Sequence, residues 1–329
     1  MNRLTVCLAA LATSTLLLSG CAAALSPAAT PAQTPAAGAG YPVTAFNCDR
    51  VVTVESAPER IVSIKSSATE LLLALGVGDR IVGSAFLDGP LPESLETTGA
   101  DLNVISDFLP GQEAVLGLNP DFIYGGWESN FTADGAGERD ALETLGVGTY
   151  VSPAACKGER MPNPLTFDTV FSEIEEAGAI FGAAPAAADL VSTLRNELAT
   201  LEPVSTDTSA LWYSSGTTTP YVGAGIGSPE MIMKAAGLSN IFADVSDTWT
   251  SVGWESVIEA NPSVIVLVDA TWNTAASKIA HLESDPATQV LDAVKNQRYI
   301  ILPFASTEAG IRNVEAASSA ITQLADLNE

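Results

Sequence analysis

One eleven-residue segment occurs twice in the chain, and it constrains the fold more than any other feature. Residues 113–123 read EAVLGLNPDFI and residues 255–265 read ESVIEANPSVI, with five identical positions. Each copy predicts a short helix that ends at Asn-Pro and is followed by a strand, because proline and the residue before it disfavour a continued helix. The repeat therefore indicates two lobes of similar construction. Two unrelated helix–Asn-Pro–strand turns are the alternative.

Strand-like and helix-like stretches alternate around both copies. The predicted strands cover residues 60–64, 80–83, 121–124, 148–151, 210–213, 264–268 and 298–302. The predicted helices cover residues 68–75, 113–118, 138–145, 229–236, 255–260 and 308–327. Alternating βα units of this size are typical of an α/β fold with a parallel sheet and helices on both faces.

The segment between the two halves reads as helix, at residues 171–181 and again at 186–201. The second stretch carries a stripe of leucines at helical spacing, which are Leu190, Leu194, Leu198 and Leu201. We therefore predict two Rossmann-like lobes with central parallel sheets, joined by one long bridging helix. The predicted boundaries are an N-terminal lobe at 42–164, an inter-lobe helical segment at 165–203 and a C-terminal lobe at 204–329.

The N-terminus reads as a secretion signal. A basic start precedes an apolar run over residues 4–18, which is short for a membrane span and typical of a signal peptide. The run ends in Leu-Ser-Gly-Cys at Cys21, which resembles a lipobox and implies a signal peptide at 1–20 and a lipid on Cys21. Residues 21–41 are rich in Ala, Pro, Thr and Gly, and predict a lipidated flexible tether. An ordinary signal peptide with a chance cysteine is the alternative.

These features predict an extracytoplasmic protein that is lipid-anchored to the outer face of the cell membrane. Cys7 leaves with the signal and Cys21 takes the lipid, so Cys48 and Cys156 remain in an oxidising compartment. We predict that these two cysteines form a disulfide, with two buried free thiols as the alternative.

Charge and composition exclude several classes of function. The net charge of −25 leaves no basic surface for nucleic acid. The single histidine, His281, rules out a zinc site built from histidines. Because the motifs of serine hydrolases, P-loop proteins and C-x-x-C redox proteins are absent from the sequence, we expect no enzyme, no metal and no cofactor.

Candidate ligand contacts follow from one rule: in open α/β sheets, ligands lie beyond the carboxyl ends of the strands. The residues selected by this rule are Lys65, Ser66, Ser67, Trp127, Glu128, Asn130, Tyr213, Ser214, Ser215, Tyr221, Gly225, Gly227, Trp249, Trp272, Asn273, Phe304, Glu308 and Arg312. Lys65 and the two serines after it open a predicted helix, where free N–H groups favour an anion. A capping serine beside a solvated lysine is the alternative there.

The residue types in this set predict the chemistry of the ligand. Three tryptophans near one cleft, Trp127, Trp249 and Trp272, suit a flat aromatic ring system, and tryptophans that each pack on their own lobe are the alternative. Lys65 and Arg312 are among the few cations of an acidic chain and are candidate anion partners. An aromatic ligand that bears a phosphate or carboxylate fits this set better than a bare metal ion.

Four stretches resemble class III periplasmic binding proteins, which feed ABC importers of iron–siderophore, haem and cobalamin. They are residues 58–76, 113–123, 236–262 and 292–299. The resemblance implies a ligand between two lobes and delivery to an ABC permease dimer. It also implies that Glu113 and Glu255, at the start of the two repeats, dock onto permease arginines. Glutamates that only stabilise the first turn of their helices are the alternative. The sequence departs from the family at Lys65, where proline is usual.

Within the family, the chain most resembles an actinobacterial group proposed to bind a deazaflavin coenzyme precursor. The shared stretches are residues 64–70, 126–130, 152–156 and 248–250. The resemblance implies capture of that small, anionic aromatic ligand. Binding of an iron–siderophore, haem or cobalamin is the alternative within the family. A hydrolase with a carboxylate pair such as Glu128 and Glu308, or a lipoprotein scaffold without a ligand, would be a different class of protein.

Overall fold

The structure, a computed structural model, describes residues 40–203 and 208–328. The predicted signal peptide, Cys21 and all but the end of the predicted tether lie outside the described residues. Among the helices that are described, none is both long and apolar enough to cross a membrane.

The first lobe is built on a five-stranded sheet in which every strand is parallel. The strands of this lobe are β1 (Val43–Asn47), β2 (Arg50–Val54), β3 (Ile61–Ile64), β4 (Ile81–Ala85), β5 (Val104–Ser106), β6 (Phe122–Gly125) and β7 (Gly148–Val151). Its helices are α1 (Ser66–Ala74), α2 (Glu93–Glu96), α3 (Gln112–Leu116) and α4 (Arg139–Thr144). The sheet order is β5-β4-β3-β6-β7, and β1 and β2 form a separate antiparallel hairpin.

Two helices packed against each other lead from the first sheet to the second. They are α5 (Phe167–Ile180) and α6 (Ala184–Ala199). Phe171 and Ile174 of α5 belong to the core of the first lobe. The predicted inter-lobe helix is present as α6, and α5 precedes it as a second helix of the connection.

The second lobe has a six-stranded mixed sheet. Its strands are β8 (Thr208–Ser215), β9 (Tyr221–Gly223), β10 (Leu238–Asn240), β11 (Trp249–Ser251), β12 (Val264–Asp269) and β13 (Tyr299–Pro303). Its helices are α7 (Ser228–Ala235), α8 (Trp254–Ala260), α9 (Ala275–Ser284), α10 (Asp292–Lys295), α11 (Phe304–Thr307) and α12 (Asn313–Asp326). The sheet order is β11-β9-β8-β12-β13, with β10 also paired to β8.

The predicted α/β class is confirmed, with one difference in the second sheet. Strands β8, β10, β12 and β13 pair in parallel, whereas β9 runs antiparallel to β8 and to β11. The connection from β8 to β9 is five residues long. A connection that short joins only antiparallel neighbours, because a parallel crossover needs a dozen or more residues.

The closing helix begins later than the sequence predicts. The prediction started it at Glu308, but α12 starts at Asn313 and a separate short helix, α11, precedes it. The Asn313 amide nitrogen donates to the carbonyls of Ser306 and Glu308, and its amide oxygen accepts from the Gly310 N–H. These bonds stabilise a turn in place of the first helical turns.

Buried aliphatic strands form the core of each lobe. All four residues of β3 are buried, as are residues 264–268 of β12, since helices cover both faces of the sheets. Cys48 and Cys156 form a disulfide with a Cα–Cα distance of 5.2 Å, as predicted. This bond ties the turn between β1 and β2 to the loop that follows β7.

Candidate functional site

A cavity of about 360 Å³ lies between the two lobes, at the carboxyl ends of their strands. Both lobes contribute to its wall, as the strand-end rule predicts. The predicted site residues that line it are Ser67, Trp127, Glu128, Ser214, Ser215, Tyr221, Gly227, Trp249, Trp272, Phe304 and Glu308.

Other predicted contacts lie nearby but serve the local structure. The Asn130 side chain accepts the Trp127 backbone N–H at 2.9 Å, and the Tyr213 hydroxyl donates to the Gly216 carbonyl at 2.8 Å. A Cβ atom at Gly225 would lie 1.8 Å from the Ala243 carbonyl oxygen, so this glycine allows the two backbone segments to approach closely. The Asn273 carbonyl accepts from the Lys278 ammonium at 2.7 Å.

The structure contradicts the prediction that Lys65 and Ser66 hold an anion of the ligand. The Lys65 side chain is fully buried, and its ammonium pairs with the Asp88 carboxylate. The same carboxylate accepts the Ser66 N–H at 3.4 Å, and the Ser66 hydroxyl accepts the Asp88 N–H at 2.8 Å. The N-terminus of α1 is therefore already occupied by an anion of the chain itself.

Arg312 also lies away from the cavity. Its guanidinium approaches Glu70 of α1 at 3.5 Å and Glu315 of α12 at 3.1 Å. It lines a different groove, bounded by α2, α6 and α12. Burial raises the pKa of Glu70 to about 7, although Arg312 lowers it in part. The structure thus places Arg312 outside the cavity and gives it two partners within the protein, which is not the arrangement that the sequence predicted.

The loop after β7 forms a wall of the cavity that the predicted set missed. Its lining residues are Ser152, Ala154, Ala155, Cys156, Lys157, Met161, Pro162 and Leu165. The strand-end rule could have found this loop, because β7 was predicted with its observed bounds. Of the cavity-lining residues, all within the described part of the chain, Lys157 alone is cationic.

The remaining lining residues come from positions next to those already predicted. They are Gly126, Ser129, Ser228, Thr248 and Ala309. Three of them, Ser129, Ser228 and Thr248, add hydroxyl groups to those of the serines at 67, 152, 214 and 215. Hydroxyls donate and accept hydrogen bonds, so the wall can satisfy polar groups of a ligand on both lobes.

Aromatic rings from both lobes dominate the wall. The Trp272 ring lies 5.6 Å from Phe304, and Phe304 lies 6.4 Å from Trp127 in an edge-on arrangement. On another part of the wall, Tyr221 stacks on Trp249 with centroids 6.0 Å apart and an interplanar angle of 15°. Rings at these separations offer flat apolar surface to a flat ligand.

The two carboxylates of the cavity are both bonded by protein groups. Glu308 accepts the Trp127 indole N–H at 2.6 Å, and Glu128 accepts the Lys157 backbone N–H at 2.8 Å. Burial raises the pKa of Glu308, while Lys65 and the indole bond lower it. Each carboxylate therefore has one fixed contact within the protein, and this contact orients it in the cavity wall.

Known proteins share this sequence pattern and this fold. The family described as "Periplasmic binding protein" matches residues 61–305. An uncharacterized ABC transporter substrate-binding lipoprotein of Bacillus subtilis, YvrC, is 28% identical over 84% of this chain and 83% of its own length. A vitamin B12-binding protein of Yersinia pestis is 29% identical over 64% of this chain and 70% of its own.

A solved structure shares the two-lobed arrangement. It is described as an ABC-type Fe3+-hydroxamate transport system from Saccharomonospora viridis. It is 26% identical, covers 86% of this chain and 99% of its own, and superimposes with a TM-score of 0.72.

Proposed function

We propose, because the chain belongs to the periplasmic binding protein family, that it captures a small ligand between its lobes and delivers it to an ABC importer. The relatives are named as substrate-binding and vitamin-binding proteins. The chain is accordingly an extracytoplasmic binding protein of the siderophore, haem and cobalamin type, and it is not an enzyme.

The ligand is an aromatic molecule that carries an anionic group. The observation that carries this proposal is one cavity that combines three tryptophans with a single cation, Lys157. The rings supply stacking surface, while Lys157 and the hydroxyls supply partners for a phosphate or carboxylate. The deazaflavin coenzyme precursor suggested by the sequence resemblance has this character.

Cobalamin is the second candidate, because relatives carry its name. The cavity of about 360 Å³ is near the lower end of the range for small-molecule sites, roughly 300–1,000 Å³. That size favours a single flat ring system over a macrocycle with its substituents.

Native mass spectrometry of the protein purified from its own source tests this proposal. We expect a co-purified mass with the absorbance and fluorescence of a deazaflavin. A corrinoid or an iron chelate in its place would overturn the ligand proposal and leave the transport function intact.

The chain is held at the membrane by a lipid on Cys21, and residues 21–41 serve as the tether. The name of the Bacillus subtilis relative, a lipoprotein, supports this proposal. Beyond the tether, we divide the chain into lobes at 42–164 and 204–329, with the helical segment 165–203 between them. Replacement of Cys21 by serine should release the protein from the membrane fraction, and retention of that variant would count against the anchor.

Glu113 and Glu255 are the proposed docking residues for the permease dimer. Each is exposed and lies in the first turn of its helix, α3 or α8, seven residues before the shared proline. Two equivalent anions, one on each lobe, match a partner made of two like subunits.

Charge reversal tests this docking. Because like charges at a contact repel, the Glu113→Arg/Glu255→Arg variant should lose nearly all uptake in a reconstituted transporter. Its ligand affinity and melting temperature should match those of the unmodified protein. Full uptake would rule out this docking site.

A further inference from the structure

Lys65 lies inside a box of aromatic rings that we call the aromatic box, formed by Phe86, Trp127 and Phe304. Its ammonium nitrogen lies 3.8 Å from the centroid of the Trp127 ring, 4.2 Å from that of Phe86 and 4.9 Å from that of Phe304. All three distances are within the range of about 6 Å in which a ring face attracts a cation. The Asp88 carboxylate completes the surroundings of the ammonium.

The backbone of Lys65 indicates that this placement is strongly determined. The residue has φ of 86° and ψ of 151°, a conformation that only glycine adopts without strain. A lysine remains there only where its surroundings compensate for the strain. The ion pair and the three rings hold the side chain, and the bond from the Lys65 N–H to the Ala85 carbonyl at 3.0 Å holds the backbone.

The aromatic box crosses the boundary between the lobes. Phe86 and Trp127 follow strands β4 and β6 of the first lobe, whereas Phe304 opens α11 of the second. Trp127 and Phe304 also line the cavity. Two of the three rings that surround the buried ammonium are therefore part of the cavity wall.

We propose that Lys65 is a positioning residue for ligand capture: its ammonium gathers rings from both lobes, orients Trp127 and Phe304 in the cavity wall, and holds the Trp127 indole against Glu308. The inference rests on the proposed function only in taking this cavity as the ligand site.

The ammonium acts on the cavity through Trp127. A cation over the indole face draws electron density from the ring and makes the indole N–H a stronger donor. The acceptor of that N–H is Glu308 of the second lobe, at 2.6 Å. Lys65, Asp88 and Tyr221 are the charged and titratable groups that interact with Glu308, and Lys65 alone among them is cationic. Lys65 therefore favours both the donor and the ionised acceptor of this bond between the lobes.

The aromatic box also bears on selectivity. The face of Trp127 that attracts a cation is already taken by Lys65. A cationic ligand therefore cannot use that face of Trp127. The aromatic box closes one cation-binding ring face to the ligand and leaves the remaining surface of the ring for stacking.

The test removes the Lys65 side chain by mutation and then supplies a free alkylammonium ion in solution to take its place. In Lys65→Gly, glycine tolerates the backbone conformation and the aromatic box is left empty. The readout is the indole N–H resonance of Trp127 in the NMR spectrum of the purified protein without ligand, assigned by its loss in Trp127→Phe. We expect this resonance to move upfield in Lys65→Gly, because its hydrogen bond weakens. We expect n-butylammonium to return it toward its original position, and n-butanol of the same size to leave it shifted.

A second variant separates charge from volume. Lys65→Met/Asp88→Asn fills nearly the same space and removes both charges of the buried pair together, so it remains informative if Lys65→Gly does not fold. A role in packing alone predicts an unmoved Trp127 resonance in this variant, whereas positioning by charge predicts an upfield shift. The matched control is Lys295→Met/Asp292→Asn, which removes an exposed lysine–aspartate pair and should leave the resonance in place.

Two results would overturn the proposal. One is an unmoved Trp127 resonance in Lys65→Met/Asp88→Asn, and the other is equal rescue of Lys65→Gly by n-butanol and n-butylammonium. Because the readout needs no ligand, neither result bears on the proposed ligand. Conversely, a corrinoid in native mass spectrometry would overturn the ligand proposal without touching the role of Lys65.

Discussion

Helix α1 takes part in two charge clusters, each with a buried ion pair, and the two clusters are built differently. The front cluster, Lys65 with Asp88, precedes the helix and lies beside the cavity. The back cluster is Glu70 with Arg312 and Glu315, and it lines the groove on α12. Both partners of the front ion pair belong to the first lobe, whereas the back cluster joins the first lobe to the second.

The quality of pairing separates the two clusters. In the front cluster, Asp88 receives both the ammonium and the Ser66 N–H. In the back cluster, one carboxylate oxygen of Glu70 is buried without a hydrogen-bond partner, and Arg312 is 3.5 Å away. A buried charge with incomplete pairing is costly, so the back cluster is the weaker contact and the one that responds to pH.

The largest expected effect comes from breaking the front pair. Asp88→Ala leaves the Lys65 ammonium buried without its carboxylate, which should lower the free energy of unfolding by about 3–5 kcal/mol. Chemical denaturation at neutral pH measures this change. The exposed pair of Asp292 and Lys295 is the control, because solvent screens this pair and Asp292→Ala should lower the stability far less. If the two variants lost equal amounts of unfolding free energy, the buried front pair would matter no more to stability than the exposed pair.

The back cluster should give a smaller effect that depends on pH. The pKa of Glu70 is about 7 in the folded protein, above its ordinary value of 4.5. A carboxyl group with a raised pKa binds more protons when folded, so its contribution to stability is complete below about pH 4.5 and is lost as pH rises to about 7. A shift of this size corresponds to about 3 kcal/mol, as an order of magnitude.

Glu70→Gln should remove this pH dependence. We expect the variant to be more stable than the unmodified protein at pH 8, by up to about 3 kcal/mol, and close to it at pH 4.5. Melting temperatures across this range give the comparison. A constant difference between the two proteins at every pH would contradict the assignment, because other raised carboxyls such as Glu308 are common to both.

The sequence predicts the positions of the strands well, and hence the place of the cavity. Buried aliphatic runs such as 264–268 can only be central strands in this pattern, and their loops meet at one edge. Trp127 and Phe304 were therefore found without any knowledge of the structure. Lys157 was available to the same rule, because it follows β7 in the chain.

The partners of the Lys65 and Arg312 side chains could not be predicted from the sequence. Each points toward a partner that is distant in the chain: Asp88 is 23 residues after Lys65, and Glu70 lies in the other lobe from Arg312. A cation in an acidic chain suggests an anion site, but the tertiary fold decides whether the anion belongs to the ligand or to the protein. Here both lysine and arginine are paired internally, and the cavity keeps a different cation.

The smallest expected effect is on ligand affinity, and it compares a cation of the cavity, Lys157, with the cation of the back cluster, Arg312. Lys157 is exposed at the cavity, so Lys157→Met should weaken binding of an anionic aromatic probe, flavin mononucleotide, by about tenfold, or about 1.4 kcal/mol. Riboflavin has the same ring system without the phosphate, and its affinity should change by less than twofold.

The control variant is Arg312→Met, which removes a cation from the groove on α12. It should leave the affinities for both probes unchanged, although it lowers the stability of the protein. Calorimetry with the two probes measures the contrast. If Arg312→Met lowered the affinity for flavin mononucleotide and Lys157→Met did not, Arg312 rather than Lys157 would bind the phosphate. The proposed anion site in the cavity would then be wrong.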